Sequence, residues 1–254
     1  MRWVFLSPHL DDAVLSCGGM IWELTRLGLQ VEIWTVFAGD PPRGKLTPFA
    51  RELHARWKLD DEEMLNAEGR RVEDAQACIR ISADWRHFQW PDCIYRKAPG
   101  TNQPIVQKEE DLWFLPDNLE YYLIREIRET LLVELKKTDL VVAPMGLGNH
   151  RDHLLLNKVV GVFNPGVSYY ADFPYSSSRI NEETALREKY EPEKKILISS
   201  NGLSAWQAGI SEYRSQISTF WKDLGEMEED IQIYARQESS SFLWKTSISP
   251  ERAL

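Results

Sequence analysis

The chain has little of what would tie it to several large classes of protein. Its three cysteines, Cys17, Cys78 and Cys93, are an odd number among 254 residues, and none forms a Cys-x-x-Cys pair. A disulfide framework and a thiolate metal or redox centre are therefore excluded, and a reducing, cytoplasmic setting is expected. No stretch reaches the roughly 18 apolar residues of a membrane span, and the apolar run before Pro8 is too short for a signal peptide, so a soluble protein without a membrane span is expected. Basic residues are outnumbered 30 to 39, the two signs are interspersed, and the formal net charge is -9. That leaves no basic stripe for a phosphate backbone, and nucleic acid is not expected as a partner. No Gly-x-Gly-x-x-Gly follows the first apolar run, which disfavours a dinucleotide site and leaves Gly18 and Gly19 as points of close helix packing. Internal repeats and low-complexity tracts are absent as well.

What is present suffices for a full core: 43% of the residues are hydrophobic, enough for one domain spanning 1–254, with 222–254 expected as a C-terminal helical appendage or tail. Residues 3 to 7 read as a strand that stops at Pro8, and 13 to 27 carry apolar positions at helical spacing until Gly28. Residues 31 to 37 and 139 to 143 read as further strands, the latter after a helical stretch from about 116 to 137. A helix over 151 to 163, a strand from Val167 to Ala171 and another from Lys194 to Ser199 continue the alternation into a helix near 203 to 221. Its stripe of Leu203, Trp206, Ile210, Tyr213, Ile217 and Phe220 suits core packing. Strands alternating with helices predict an α/β fold with a Rossmann-like, mostly parallel sheet and helices on both faces. The Gly- and Pro-rich segments 38 to 60 and 91 to 116 are expected as loops beside a ligand-binding edge.

Three of the five histidines fall into two short clusters that also hold three aspartates: His9, Asp11 and Asp12, then His150, Asp152 and His153. Both clusters follow an expected strand. In an open parallel sheet, loops at the carboxyl ends of strands meet at one edge, which would bring the clusters face to face. Two imidazoles and a carboxylate form a common catalytic zinc set, and a second carboxylate can serve as the base. Another divalent ion fits the same donors. An aspartate before Ala13 also suits a helix cap, but capping explains neither His9 nor the second cluster.

The strings Ser7-Pro8-His9-Leu10-Asp11-Asp12-Ala13, Gly148-Asn149-His150-Arg151-Asp152-His153 and Tyr213-Arg214-Ser215-Gln216 resemble, in order and spacing, motifs of the LmbE-like or PIG-L family of N-acetylglucosaminyl deacetylases. The resemblance implies that His9, Asp12 and His153 bind zinc, that Asp11 deprotonates the attacking water, and that His150 stabilises the oxyanion, with Asp152 orienting it. It implies a zinc-dependent hydrolase that removes an N-acyl group from an amino-sugar or glycoconjugate; a catalytically altered metal-binding accessory protein of a carbohydrate pathway is the alternative. Leu10 and Ala13 depart from the family's proline and glutamate. Arg96 and Tyr175 are expected at the substrate, His54 and His87 without partners, and Trp57, Trp85, Trp90 or Trp113 as candidate stacking surfaces for a sugar ring. The oligomeric state stays open.

Overall fold

The first strand, β1 (Arg2–Ser7), buries Trp3 and Phe5 in one apolar cluster and Val4 and Leu6 in another. Because strand side chains alternate between faces, such a segment belongs in the interior of a sheet covered on both sides. The computed structural model, which describes residues 1–57, 67–116, 119–163, 166–177 and 189–247, places it there. Its neighbours are β2 (Gln30–Thr35) and β4 (Leu140–Pro144), both parallel to it, with Phe5 in register with Ile33 and Val142. β3 (Asp84–His87) and β5 (Val167–Tyr170) extend the parallel set. The seven-stranded order is β3-β2-β1-β4-β5-β7-β6, and the last two, β6 (Tyr190–Lys195) and β7 (Phe242–Thr246), are antiparallel. The expected mostly parallel α/β sheet with helices on both faces is what the chain forms.

The α-helices longer than one turn among the described residues are α1 (Asp12–Arg26), α2 (Pro48–Arg56), α3 (Ala67–Arg80), α4 (Tyr121–Glu134), α5 (Arg151–Val160), α6 (Ser200–Ile210), α7 (Arg214–Phe220) and α8 (Leu224–Tyr234). Residues of α1, α3, α6 and α8 share a core with Trp3 and Phe5, whereas those of α4 and α5 share one with Val4 and Leu6. Gly18 explains how α6 comes so close to α1: a Cβ there would lie 2.3 Å from Trp206 Cδ1. The indole uses that approach to donate from Nε1 to the Val14 carbonyl at 2.6 Å.

Several expectations shift. The strand read at Lys194–Ser199 lies earlier, at Tyr190–Lys195, and runs antiparallel, because its register is set by β7 and not by a crossover helix. The helix read over 203 to 221 is two helices, α6 and α7, broken where Tyr213 leaves helical geometry to bond Asp74. Its apolar stripe does pack in the core. The segment from 222, expected as an appendage, supplies α8 and a strand inside the sheet, between β5 and β6; residues 248–254 lie outside the described residues.

Candidate metal and catalytic site

β1 and β4 are adjacent and parallel, so the turns after Ser7 and Pro144 leave the sheet at the same edge. The first turn is held by Ser7, whose hydroxyl donates to the His9 carbonyl at 2.6 Å and accepts from the Ala13 amide at 3.0 Å. Asp11 sits at the N-cap of α1, yet its side chain makes no capping hydrogen bond. The bland explanation for this carboxylate, helix capping, therefore does not apply. Asp12 is spent differently: Oδ2 accepts the His9 amide at 2.8 Å and lies 3.1 Å from His9 Nδ1 and 3.2 Å from His153 Nε2. Leu10 and Ala13, the departures from the family motif, are both buried, and Ala13 lies in the apolar core shared with Phe5.

The second turn depends on left-handed backbone. Gly148 has φ +76, and a Cβ there would lie 2.6 Å from the ring of Tyr175, so only glycine lets that tyrosine pack against the turn. His150 then caps α5, its Nδ1 accepting the Asp152 amide at 3.3 Å. One helical turn on, His153 Nδ1 meets Asp172 Oδ1 at 2.6 Å. Asp172 is itself fixed, since Oδ2 accepts the amides of Gly146 and Leu147 at 2.9 and 3.1 Å. A carboxylate behind one imidazole nitrogen assigns the proton to that side and aims the lone pair of the other outward, the usual support of a metal-binding histidine. Here Nε2 is aimed at Asp12.

The electrostatics follow from crowding. Burial and the neighbouring Asp12 push Asp11 up to about 7, against the pull of Arg70 and His9. Burial alone would raise Asp12 too, but His153 and His9 hold it well below the usual carboxylate range. Burial opposes the charged form of His153, yet Asp12 and Asp172 raise it to about 10; His9 is likewise raised, against burial, by Asp92, Asp12 and Asp152. His150 goes the other way, kept neutral by burial and by the two charged imidazoles. Protons held this firmly on imidazoles facing carboxylates mark a place that needs positive charge, which a metal ion supplies when it displaces them. The donors fit a divalent ion: ligand atoms of His9, His150 and His153 lie within 4.8 Å of one another, as do those of His9, Asp92 and Asp152.

A cavity of about 290 Å³ opens beside this cluster. His9, Asp11, Asp12 and His150 form its polar floor; Phe49, Leu53 and Trp57, on or just after α2, contribute an apolar side. Tyr175 and Trp113 line it as well, with their rings 5.8 Å apart. Trp85 and Trp90 are not among its lining residues. Arg96, expected at the substrate, lies beneath the site instead. Its guanidinium is fully engaged, donating from Nε to Glu120 at 2.7 Å and from Nη2 to Asp152, because burial of that carboxylate demands a fixed cation. Arg96 and His9 together hold the Asp152 carboxyl far below its ordinary range despite burial. The Asp152 carboxylate faces His9 Nε2 at 3.0 Å, so only its backbone amide reaches His150.

Three residues to which the sequence reading gave no role belong to the site: Asp92, 3.7 Å from His9 Nε2; Asp172 behind His153; and Arg70, 3.5 Å from Asp11. Asp92 and Asp172 each follow a strand end, as His9 and His150 do, and that position was the available signal. His54 and His87 do have partners, the Tyr95 hydroxyl and Asp74 respectively.

Comparison with known proteins points the same way. The family model described as PIG-L, GlcNAc-PI de-N-acetylase, matches residues 4–163. A 2'-N-acetylparomamine deacetylase of Niallia circulans is 27% identical over 98% of this chain and 96% of its own. The protein of that name from Streptomyces fradiae is 29% identical over 74% of this chain and 63% of its own. Among solved structures, the zinc-inhibited form of teicoplanin deacetylase Orf2 superposes with a TM-score of 0.79 at 24% identity, covering 97% of both chains; at that identity the likeness concerns the fold.

Proposed function

The chain belongs to the PIG-L family of de-N-acetylases, and from that premise we propose that it hydrolyses the N-acetyl group of an amino-sugar derivative or glycoconjugate, with zinc held by His9, Asp12 and His153. The observation that carries this reading is the meeting of His9 Nδ1 and His153 Nε2 on one oxygen of Asp12, at 3.1 and 3.2 Å, on the floor of a cavity. A bound zinc ion supplies Lewis acidity toward the amide carbonyl and acidifies water.

The protein's own groups supply the rest. Asp11, free of any capping duty and with its pKa raised to about 7 by burial and by Asp12, takes the proton of the attacking water. The proton that Asp11 takes from the water passes to the leaving amine, while His150, neutral and lining the cavity, is placed to donate a hydrogen bond to the oxygen on which charge develops. Its Nδ1 is occupied by the Asp152 amide, which leaves Nε2 as the end available to substrate. Asp172 holds His153 in the tautomer that presents Nε2. Products are a carboxylate and a free amino sugar. The cavity's apolar side suits the face of a sugar ring, and Trp113, 37% exposed at its rim, is the stacking surface we assign.

Elemental mass spectrometry of the protein purified without chelator or metal-affinity tag, followed by acetate release from N-acetylated sugars, tests the proposal. Close to one divalent ion per chain and release of acetate are expected. A chain that takes up no metal even from added zinc would overturn it.

A further inference from the structure

The Tyr213-Arg214-Ser215-Gln216 motif has no part in the scheme above, yet a buried carboxylate is committed to it. Glu73 of α3 accepts two hydrogen bonds from Ser215, from the amide at 2.9 Å and from the hydroxyl at 2.5 Å. Gln216, only 5% exposed, donates from Nε2 to Ser215 Oγ at 3.0 Å. These bonds determine which way round the amide sits. Ser215 has one hydroxyl hydrogen, and a carboxylate can only accept, so that hydrogen goes to Glu73. Ser215 Oγ is then an acceptor, and the Gln216 end facing it must be the nitrogen. The carbonyl Oε1 is turned away from Ser215. No donor among the described residues reaches it, it is not among the sealed atoms lacking partners, and Gln216 lines the cavity together with Thr219 one turn further along α7.

We propose that Gln216 determines specificity in this site by accepting, through Oε1, a hydrogen bond from a ring hydroxyl of the sugar, with Glu73 and Ser215 acting as positioning residues that keep the amide from flipping. The inference rests on the deacetylase reading and adds to it the class of group selected. A lone carbonyl oxygen repels carboxylate and phosphate and rewards only donors, and each hydroxyl of an amino sugar is a donor. Fixing the amide in advance matters because a freely rotating one would present its NH2 group half of the time, and ordering it on binding would cost affinity.

The test is calorimetric titration of N-acetylglucosamine and its 3-deoxy, 4-deoxy and 6-deoxy analogues into zinc-loaded Asp11→Asn, with and without Gln216→Met. Methionine keeps the side chain's length and removes both polar ends. One deoxy sugar is expected to bind Asp11→Asn about tenfold more weakly than the parent, the worth of one hydrogen bond. Gln216→Met should weaken the parent by a similar factor and bind that deoxy sugar and the parent equally. The proposal is overturned if Gln216→Met leaves parent affinity unchanged, or if it weakens all four sugars in parallel, as a packing defect would. Gln216→Ala takes its place should the methionine variant lose its near-ultraviolet dichroism. Acetate release by the chain with native Asp11 is followed separately. Sugar binding without acetate release removes the deacetylase reading and leaves the Gln216 contact standing; no binding of any of the four sugars removes both.

Discussion

Two buried assemblies of histidine and aspartate lie near one another at this end of the sheet, built from the same residue types to different ends. In one, Asp74 accepts from the Tyr213 hydroxyl at 2.6 Å, His87 Nε2 at 2.8 Å and the Thr35 hydroxyl at 3.3 Å. Donors from β2, β3 and the α6–α7 break close on a single carboxylate of α3, and nothing is left over. In the other, Asp11, Asp12, Asp92 and Asp152 crowd around His9, while the guanidinium groups at hand are Arg70, 3.5 Å from Asp11, and Arg96, which Asp152 shares with Glu120. Without protons on its imidazoles, negative charge is in surplus. The difference teaches what distinguishes a structural network from a site: the donors of the first satisfy it, whereas the second is completed by a cation from outside the chain.

Removing a ligand should separate the two most sharply. His153→Ala is expected to reduce bound metal from about one equivalent to less than about a tenth, by elemental mass spectrometry, because a carboxylate and one imidazole are left where three donors converged. A variant that still held a full equivalent would break the ligand assignment. Asp11→Asn comes next, with kcat for acetate release lowered by about 10³ while the metal stays, the usual range for loss of a positioned base. Unchanged turnover would remove that role. Asp172→Asn should weaken metal binding by about 10- to 100-fold in a competition titration, as loss of an orienting carboxylate does; an unaltered affinity would mean that the peptide turn alone positions His153.

The parts of this arrangement legible in the sequence were those written in contiguous residues. His9 to Asp12 and His150 to His153 are strings, each after a short apolar run, and a parallel sheet brings such strand ends together whatever lies between. Asp172 was visible only as part of Asp172-Phe173-Pro174-Tyr175, and nothing local says that its partner is a histidine 19 residues earlier. Arg70 was hidden because α3, AEGRRVEDAQACIR, spends its polar positions inside the molecule, on the cavity, Ser215 and Tyr213, which blurs the apolar periodicity that marks a helix. Arg96 misled for a related reason. An arginine in a loop beside a site reads as a substrate contact, and only the fold reveals the buried carboxylates it must neutralise. The antiparallel edge was illegible because β6, YEPEKK, is exposed over five of its six residues and contains a proline, so its pairing with β7 about fifty residues later left no alternation to read.

The smallest effect probes the closed assembly. Tyr213→Phe deletes one of three donors to Asp74 and leaves His87 and Thr35 in place, so the carboxylate is weakened in its satisfaction but not orphaned. The expected cost is about 1–2 kcal/mol, between the worth of an ordinary hydrogen bond and that of one to a charged group, since two donors remain. For a chain of this size that is a fall in Tm of roughly 2–8 °C by scanning calorimetry. Metal content should stay near one equivalent and kcat within about twofold, since the Tyr213 hydroxyl contacts no proposed ligand or base. A variant that melted as the parent does, but lost its metal, would show that Asp74 belongs electrostatically to the metal cluster, and the two assemblies would then have to be treated as one.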